Sequence, residues 1–283
     1  MTAQLRPPLS TKTTYPEHTK PFDFESYGVN VRISGNDQKL IDEAADVARR
    51  SLLGDIKEIR SEKVDQLFEL NRSSGGGSYR MTKNGEYITW GRSRQKFLKF
   101  FDSMVRVAVG ENAVDRVFLH AGAVGWKGRA IVMPADSFQG KSTLVSELVR
   151  RGATYLSDDF AIIDENCMVY PFARDISLRT DQYVSFELPV TDLGGVAETL
   201  PQPLGLVLLT HYREGAIWRP KILTPGVGVM KIMPFALSLN SRPEFSLKVL
   251  HNVSARAIIA SGSRGSAELF ARTLLNFVDK HVY

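Results

Sequence analysis

The sequence predicts an α/β protein, with α+β open, built as two domains. Three observations predict it. Short apolar strands alternate with stretches whose apolar residues recur at helical spacing. The patterning changes near Val114, where separate strand and helix signals give way to closely spaced apolar strands. A glycine–lysine loop lies between an apolar strand and a helix, the setting in which α/β folds hold phosphates. Composition agrees. The 283 residues are 43% hydrophobic and 24% charged, ordinary globular usage that excludes a coiled coil or disorder over most of the chain. No apolar run approaches the roughly 18 residues of a membrane span. The single cysteine, Cys167, excludes an internal disulfide and fits a reducing, cytoplasmic setting. A net charge of +5 is mild for this length. It suits nucleotides as well as nucleic acid and names neither.

The elements follow in order. Residues 1–27 are rich in proline, threonine and polar groups and are expected as an extended or disordered arm without the apolar segment of a secretory signal. Residues 28–114 form the first domain. Val29, Val31 and Ile33 alternate with polar neighbours as a half-buried strand does. Leu40, Ile41, Ala44, Val47, Ala48 and Leu52 share a helix face, with Asn36 or Asp37 as its start and Gly54 as its stop. Residues 73–78, all serine and glycine, read as a flexible loop. Residues 79–81 and 87–90 read as a hairpin about Asn84-Gly85. Phe97, Phe101, Met104, Val105 and Ala108 mark a second helix ending near Gly110. Residues 115–283 form the second domain. Residues 117–124 and 130–133 are apolar strands around the turn Trp126-Lys127-Gly128. A helix follows to Arg151, stopped by Gly152. Residues 155–156 and 160–163 flank two aspartates. After an apolar strand at 206–210 comes a polar stretch with several prolines. The last helix puts Leu269, Phe270, Leu274, Phe277 and Val278 on one face.

The chemistry concentrates in Ala135, Asp136, Ser137, Phe138, Gln139, Gly140, Lys141, Ser142 and Thr143. Following a strand and opening a helix, this is a candidate P-loop. Backbone N–H groups and the helix dipole face an anion there. Lys141 reaches β- and γ-phosphates, and the Ser142 hydroxyl ligates Mg²⁺. The pattern G-x-x-x-x-G-K-[ST] has Ala135 in place of its first glycine, which leaves an adapted loop and a decayed one both open. The second feature is Ser157-Asp158-Asp159. Paired carboxylates beside a P-loop divide the work between a base for the attacking hydroxyl and a metal ligand. Asp158 follows Lys141 by 17 positions, room for one helix and a short turn, so its strand returns beside the loop. The third is His120, on the strand that forms a hairpin with the one delivering the loop. It is either a core histidine or a neighbour tuning Asp158. Gly262, Ser263, Arg264, Gly265 and Ser266 read as the turn leading into the last helix, with a second anion loop as the alternative. No His/Cys spacing suggests zinc.

Leu119-His120, a strand, the Gly140-Lys141-Ser142-Thr143 loop, residues 148–153 and Leu156-Ser157-Asp158-Asp159 run in one order. This resembles the HPr kinase/phosphorylase family and its relatives, whose catalytic fold is shared with phosphoenolpyruvate carboxykinase. The resemblance is compact over residues 117–163. It implies an HPr-kinase/carboxykinase-like P-loop domain at 115–283 with an α+β accessory domain before it. It further implies binding of ATP and Mg²⁺ and phosphoryl transfer to a hydroxyl. By position Lys141 and Ser142 take the phosphate and metal roles, Asp158 is the base with His120 beside it, and Asp159 lies near the metal. The E-x-R-G-L-G type signature of the HPr-specific members is absent from residues 172–179, which leaves the acceptor open. Arg174 and Arg179 stand there either as charge for the transferring phosphate or as surface arginines.

The expected function is therefore an ATP-dependent kinase acting on a protein, peptide or small-molecule acceptor. A nucleotide sensor with little catalysis and a carboxykinase-type enzyme are the alternatives. Neither nucleic acid nor a membrane is expected as a partner, and a homo-oligomer stays open.

Overall fold

A computed structural model describes residues 19–53, 55–75, 77–136, 139–179 and 185–282. The chain divides into two compact units, Met1–Val114 and Asp115–Tyr283.

In the first unit β1 (Phe22–Ser26) and β2 (Val29–Gly35) pair antiparallel. Tyr27 and Gly28 between them have φ of 49° and 74°, the left-handed turn whose twist matches a hairpin. Helix α1 (Gln38–Ser51) starts where the Asp37 carboxylate accepts the Leu40 N–H. After β3 (Lys57–Glu58), which pairs with β1, the chain returns as β4 (Gln66–Arg72) parallel to β2. β5 (Tyr79–Lys83) and β6 (Glu86–Gly91) close the sheet around Asn84-Gly85, and its order is β3-β1-β2-β4-β5-β6. Ser93 caps α2 (Arg94–Asn112). Phe24, Val31, Ile33, Phe68, Leu70 and Met81 from the strands meet Leu40, Ala44, Phe97, Phe101 and Val105 from the helices in one core. Gly35 is required where β2 passes β4: a Cβ there would lie 1.9 Å from the Leu70 carbonyl oxygen.

Two expectations change here. The arm does not reach residue 27, because Phe22–Ser26 pairs along its whole length with β2 and buries Phe24 completely. β4 went unseen, because adjacent Leu67 and Phe68 are both buried and break the alternation that marks a half-exposed strand. The loop at 73–78 is drawn together by Ser73 N–H donating to the Ser78 carbonyl at 2.9 Å; Gly54 and Gly76 lie outside the described residues.

In the second unit β7 (Val117–Trp126) and β8 (Arg129–Pro134) form a hairpin about Lys127 and Gly128, at φ of 48° and 79°. Then come α3 (Lys141–Arg150), β9 (Thr154–Ser157), β10 (Phe160–Ile163), β11 (Met168–Tyr170) and the separate hairpin β12 (Ile176–Arg179) with β13 (Ser185–Leu188). β14 (Gln202–Tyr212), β15 (Lys221–Ile222), α4 (Pro225–Ile232), α5 (Pro243–Arg256), β16 (Ile258–Arg264) and α6 (Ala267–His281) complete it. The main sheet runs β11-β10-β7-β8-β14-β16-β15, with β9 on β7 beyond the end of β10. β14 is parallel to both β8 and β16. β11 also pairs with β14, so β7, β8, β14, β11 and β10 form a closed circuit. Val132, Val207 and Ile259 face α4 and α5. Ile131, Leu206, Leu208 and Ala260 face α3 and α6. Helices on both faces of a mixed sheet make this the α/β class that the sequence predicts.

The polar, proline-bearing stretch after β14 contains two helices. Pro225 and Pro243 occupy first-turn positions of α4 and α5, where the missing N–H costs nothing. On α6 the buried face is Phe270, Ala271, Leu274, Leu275 and Val278. Leu269, expected beside them, is 76% exposed. Gly262 and Arg264 are strand, the end of β16, not a turn.

Candidate active site

β8, β14 and β16 run parallel, so their carboxyl ends lie on one edge, the edge at which α/β sheets bind ligands. The 135–143 loop leaves β8 there. Ala135 is buried and keeps a negative φ, the set of non-glycine residues with positive φ being Tyr27, Leu53, Asn84, Lys127 and Cys167 among those described. Asp136 is exposed, Gln139 and Gly140 are half-buried, and Ser137 and Phe138 lie outside the described residues. Gly140, at φ 73°, is the N-cap of α3 and has no side chain to cap with. Lys141, Ser142 and the exposed Thr143 form the first turn, whose N–H groups lack intrahelical acceptors and face an anion. Because Ala135 carries no backbone strain, Ala135→Gly should leave ATP affinity unchanged. It should also lower the melting temperature slightly, since glycine adds entropy to the unfolded chain. A gain of about tenfold or more in affinity, read by calorimetry, would contradict this.

Lys141 lies across Gly122 of β7, where a Cβ would come within 3.1 Å of the Lys141 Cγ. Its Nζ sits 2.9 Å from His120 Nε2 and 3.4 Å from the Ala135 carbonyl oxygen. A lysine ammonium has only donors, so with Lys141 charged it is His120 Nε2 that accepts. The electrostatics agree. Burial and then the Lys141 charge lower the proton affinity of His120, opposed by Asp159 and Asp136. Burial pulls Lys141 below the usual lysine range, opposed by Asp159, Asp158 and Asp136 in that order.

The two aspartates occupy the break at which β7 changes partner from β9 to β10. The break is pinned. Ser157 Oγ accepts the N–H groups of Asp159 and Phe160 at 3.2 and 3.1 Å, and Ala121 N–H donates to the Asp159 carbonyl. Asp158 is buried. Its Oδ2 accepts the Ser177 N–H at 2.9 Å and its Oδ1 the Tyr155 hydroxyl at 3.2 Å. The Ser142 hydroxyl is among the groups that favour the charged form of this carboxyl. Burial raises the proton affinity of Asp158; the Ser177 N–H offsets it most, the Asp159 charge adds to it, and the two hydroxyls offset it further. Tyr155, buried against Asp158, is pushed well above the usual phenol range. Its hydroxyl is also 2.8 Å from the Arg174 carbonyl oxygen. The Arg179 side chain lies outside the described residues.

The structure thus brings His120, Lys141, Ser142, Asp158 and Asp159 together, with one exchange of neighbours. The expectation set His120 beside Asp158 and Asp159 near the metal hydroxyl. In the fold Asp159 is the aspartate of the pair whose charge acts on His120, and the Ser142 hydroxyl acts on Asp158. Ser142 and Asp158 offer hard oxygen donors, the set that Mg²⁺ shares with phosphates and water. Among the described residues no three His, Cys, Asp or Glu side chains form a metal cluster of their own.

Sequence reasoning set Arg264 in a helix-entry turn, with a second anion loop as the alternative, and missed its tie to the phosphate loop. It ends β16 and is 3% exposed. Its Nη2 donates to the Gln139 and Gly140 carbonyls at 3.2 and 2.9 Å, and its Nη1 to the Gly265 carbonyl at 3.1 Å. Arg264 lies more than a hundred positions from the loop, so no local spacing reveals it.

No family model matches the chain, and no curated protein matches it. Among solved structures it is similar to the HPr(Ser) kinase/phosphatase from Coxiella burnetii, at 15% identity and a TM-score of 0.32, over 58% of this chain and 95% of that one. At that score the functional reading rests on the residues of the site. No helix among the described residues is long and apolar enough to cross a membrane.

Proposed function

We propose that the chain is an ATP-dependent kinase that transfers the γ-phosphoryl group to an acceptor hydroxyl. One observation carries this reading: a lysine at the head of α3, its Nζ 2.9 Å from His120 Nε2, stands beside two carboxylates at the carboxyl edge of the sheet. Lys141 and the N–H groups of the first turn of α3 would hold the β- and γ-phosphates. Ser142 and Asp158 would hold Mg²⁺, which supplies charge neutralisation on the phosphate oxygens. Asp159, next to His120 and Lys141, would orient the acceptor and take its proton as the acceptor oxygen bonds to the γ-phosphorus and ADP leaves. His120, as an acceptor, fixes the Lys141 ammonium. The raised proton affinity of Asp158 favours a second reading, in which Asp158 is the base. The acceptor class is a protein, a peptide or a small molecule with a free hydroxyl.

The test is titration of the chain with Mg·ATP, followed by a single-turnover assay of γ-phosphoryl loss. Saturable binding with slow release to water is the expected result without acceptor. No affinity for Mg·ATP would refute the kinase reading.

A further inference from the structure

We infer that Arg264 is the positioning residue that sets the phosphate-binding form of residues 139–141 at the head of α3, an inference that rests on the kinase reading. The guanidinium grips two successive carbonyls, those of Gln139 and Gly140. Each belongs to a planar trans peptide whose N–H points the opposite way. Holding the Gln139 carbonyl therefore turns the Gly140 N–H away from Arg264. Holding the Gly140 carbonyl does the same for the Lys141 N–H. These two donors lie at the N-terminus of α3, where an anion is held. The grip is close: a Cβ on Gly140 would stand 2.8 Å from Arg264 Nη2, so the glycine serves the arginine as well as the positive φ.

A second observation marks the site as one made for an anion. Arg264 is buried, its Nη atoms donate to neutral carbonyls, and among the described residues its Nε has no partner. Burial lowers its proton affinity, and the opposing influence comes from Tyr212, not from a carboxylate. A buried cation normally has a counter-charge. A phosphate in the loop that Arg264 shapes supplies one. Tyr212 and Phe270 flank the guanidinium, each ring centroid 6.0 Å away, and hold it in the plane that its fork needs.

The experiment measures Mg·ATP and pyrophosphate affinity for wild type, Arg264→Ala and Arg264→Lys, with melting temperatures alongside. Arg264→Ala is expected to lose roughly tenfold or more in affinity for both ligands, raising KM more than it lowers kcat. Millimolar guanidinium ion restores the loss and tetramethylammonium does not. Arg264→Lys keeps the charge without the fork and is expected to fall between the two; it serves as the test variant if alanine fails to fold. Wild-type affinity in a folded variant would overturn the inference. So would a loss that follows the melting temperature alone and is not restored by guanidinium. Wild type failing to bind Mg·ATP would instead overturn the kinase reading.

Discussion

Lys141→Ala should abolish phosphoryl transfer and weaken Mg·ATP binding while leaving the fold intact. Removing one preorganised donor of charge costs roughly 10² to 10³ in rate. Lys141 is such a donor, set by its contact with His120 Nε2 at 2.9 Å. The fold is expected to survive because the ammonium is held at a cost. Burial lowers its proton affinity against the pull of three aspartates, so deletion relieves desolvation rather than opening the core. The melting temperature should hold or rise. A companion sign follows at His120. Lys141 lowers its proton affinity, so in the variant the imidazole should titrate at higher pH than in wild type, observable by NMR. Calorimetric titration of both proteins with Mg·ATP is the deciding measurement, and equal affinities would remove the P-loop assignment.

The second large effect separates the two aspartates. Asp159→Asn should keep Mg·ATP binding and lose transfer, since a positioned base contributes roughly 10² to 10⁴. Asp158→Asn should instead shift the Mg²⁺ dependence to higher concentration. It should also lower stability, because the Ser177 N–H and the Tyr155 hydroxyl both point at that carboxylate. Phosphoryl-transfer rates across a Mg²⁺ series read both. Exchanged phenotypes would make Asp158 the base within the same kinase reading. Wild-type rates in both variants would leave the pair as no more than a pinned turn.

What was legible in the chain follows from the range over which each signal acts. Strands and helices with local patterns, such as β2, α1 and the β7–β8 hairpin, follow from alternation, caps and the turn Lys127-Gly128. The loop and the aspartate pair follow from spacing along one strand–helix–strand passage. Other features did not, β4 with its adjacent buried Leu67 and Phe68 among them. β1 was hidden because Phe22 and Phe24 are too short a pattern to stand out until β2 pairs with it. Helices α4 and α5 were hidden behind prolines that start helices as readily as they break them. The nearness of Lys141 to His120, and the reach of Arg264 to Gly140, depend on which way side chains point once separate strands lie together.

The circuit of β7, β8, β14, β11 and β10 bears on how the molecule is made. β8, which delivers the phosphate loop, and β11 both wait for β14 as a partner. Until Gln202–Tyr212 is in place, each presents a bare row of N–H and C=O groups along an apolar strand, the template on which chains stick to one another. Closing the circuit removes those edges in one event, at the expense of contacts far apart in sequence, which slows assembly. The loop-bearing segment is therefore not a separable nucleotide-binding piece. A fragment ending before β14 would hold every residue from His120 to Asp159, yet it would leave β8 and β11 open to aggregation rather than folded around a site.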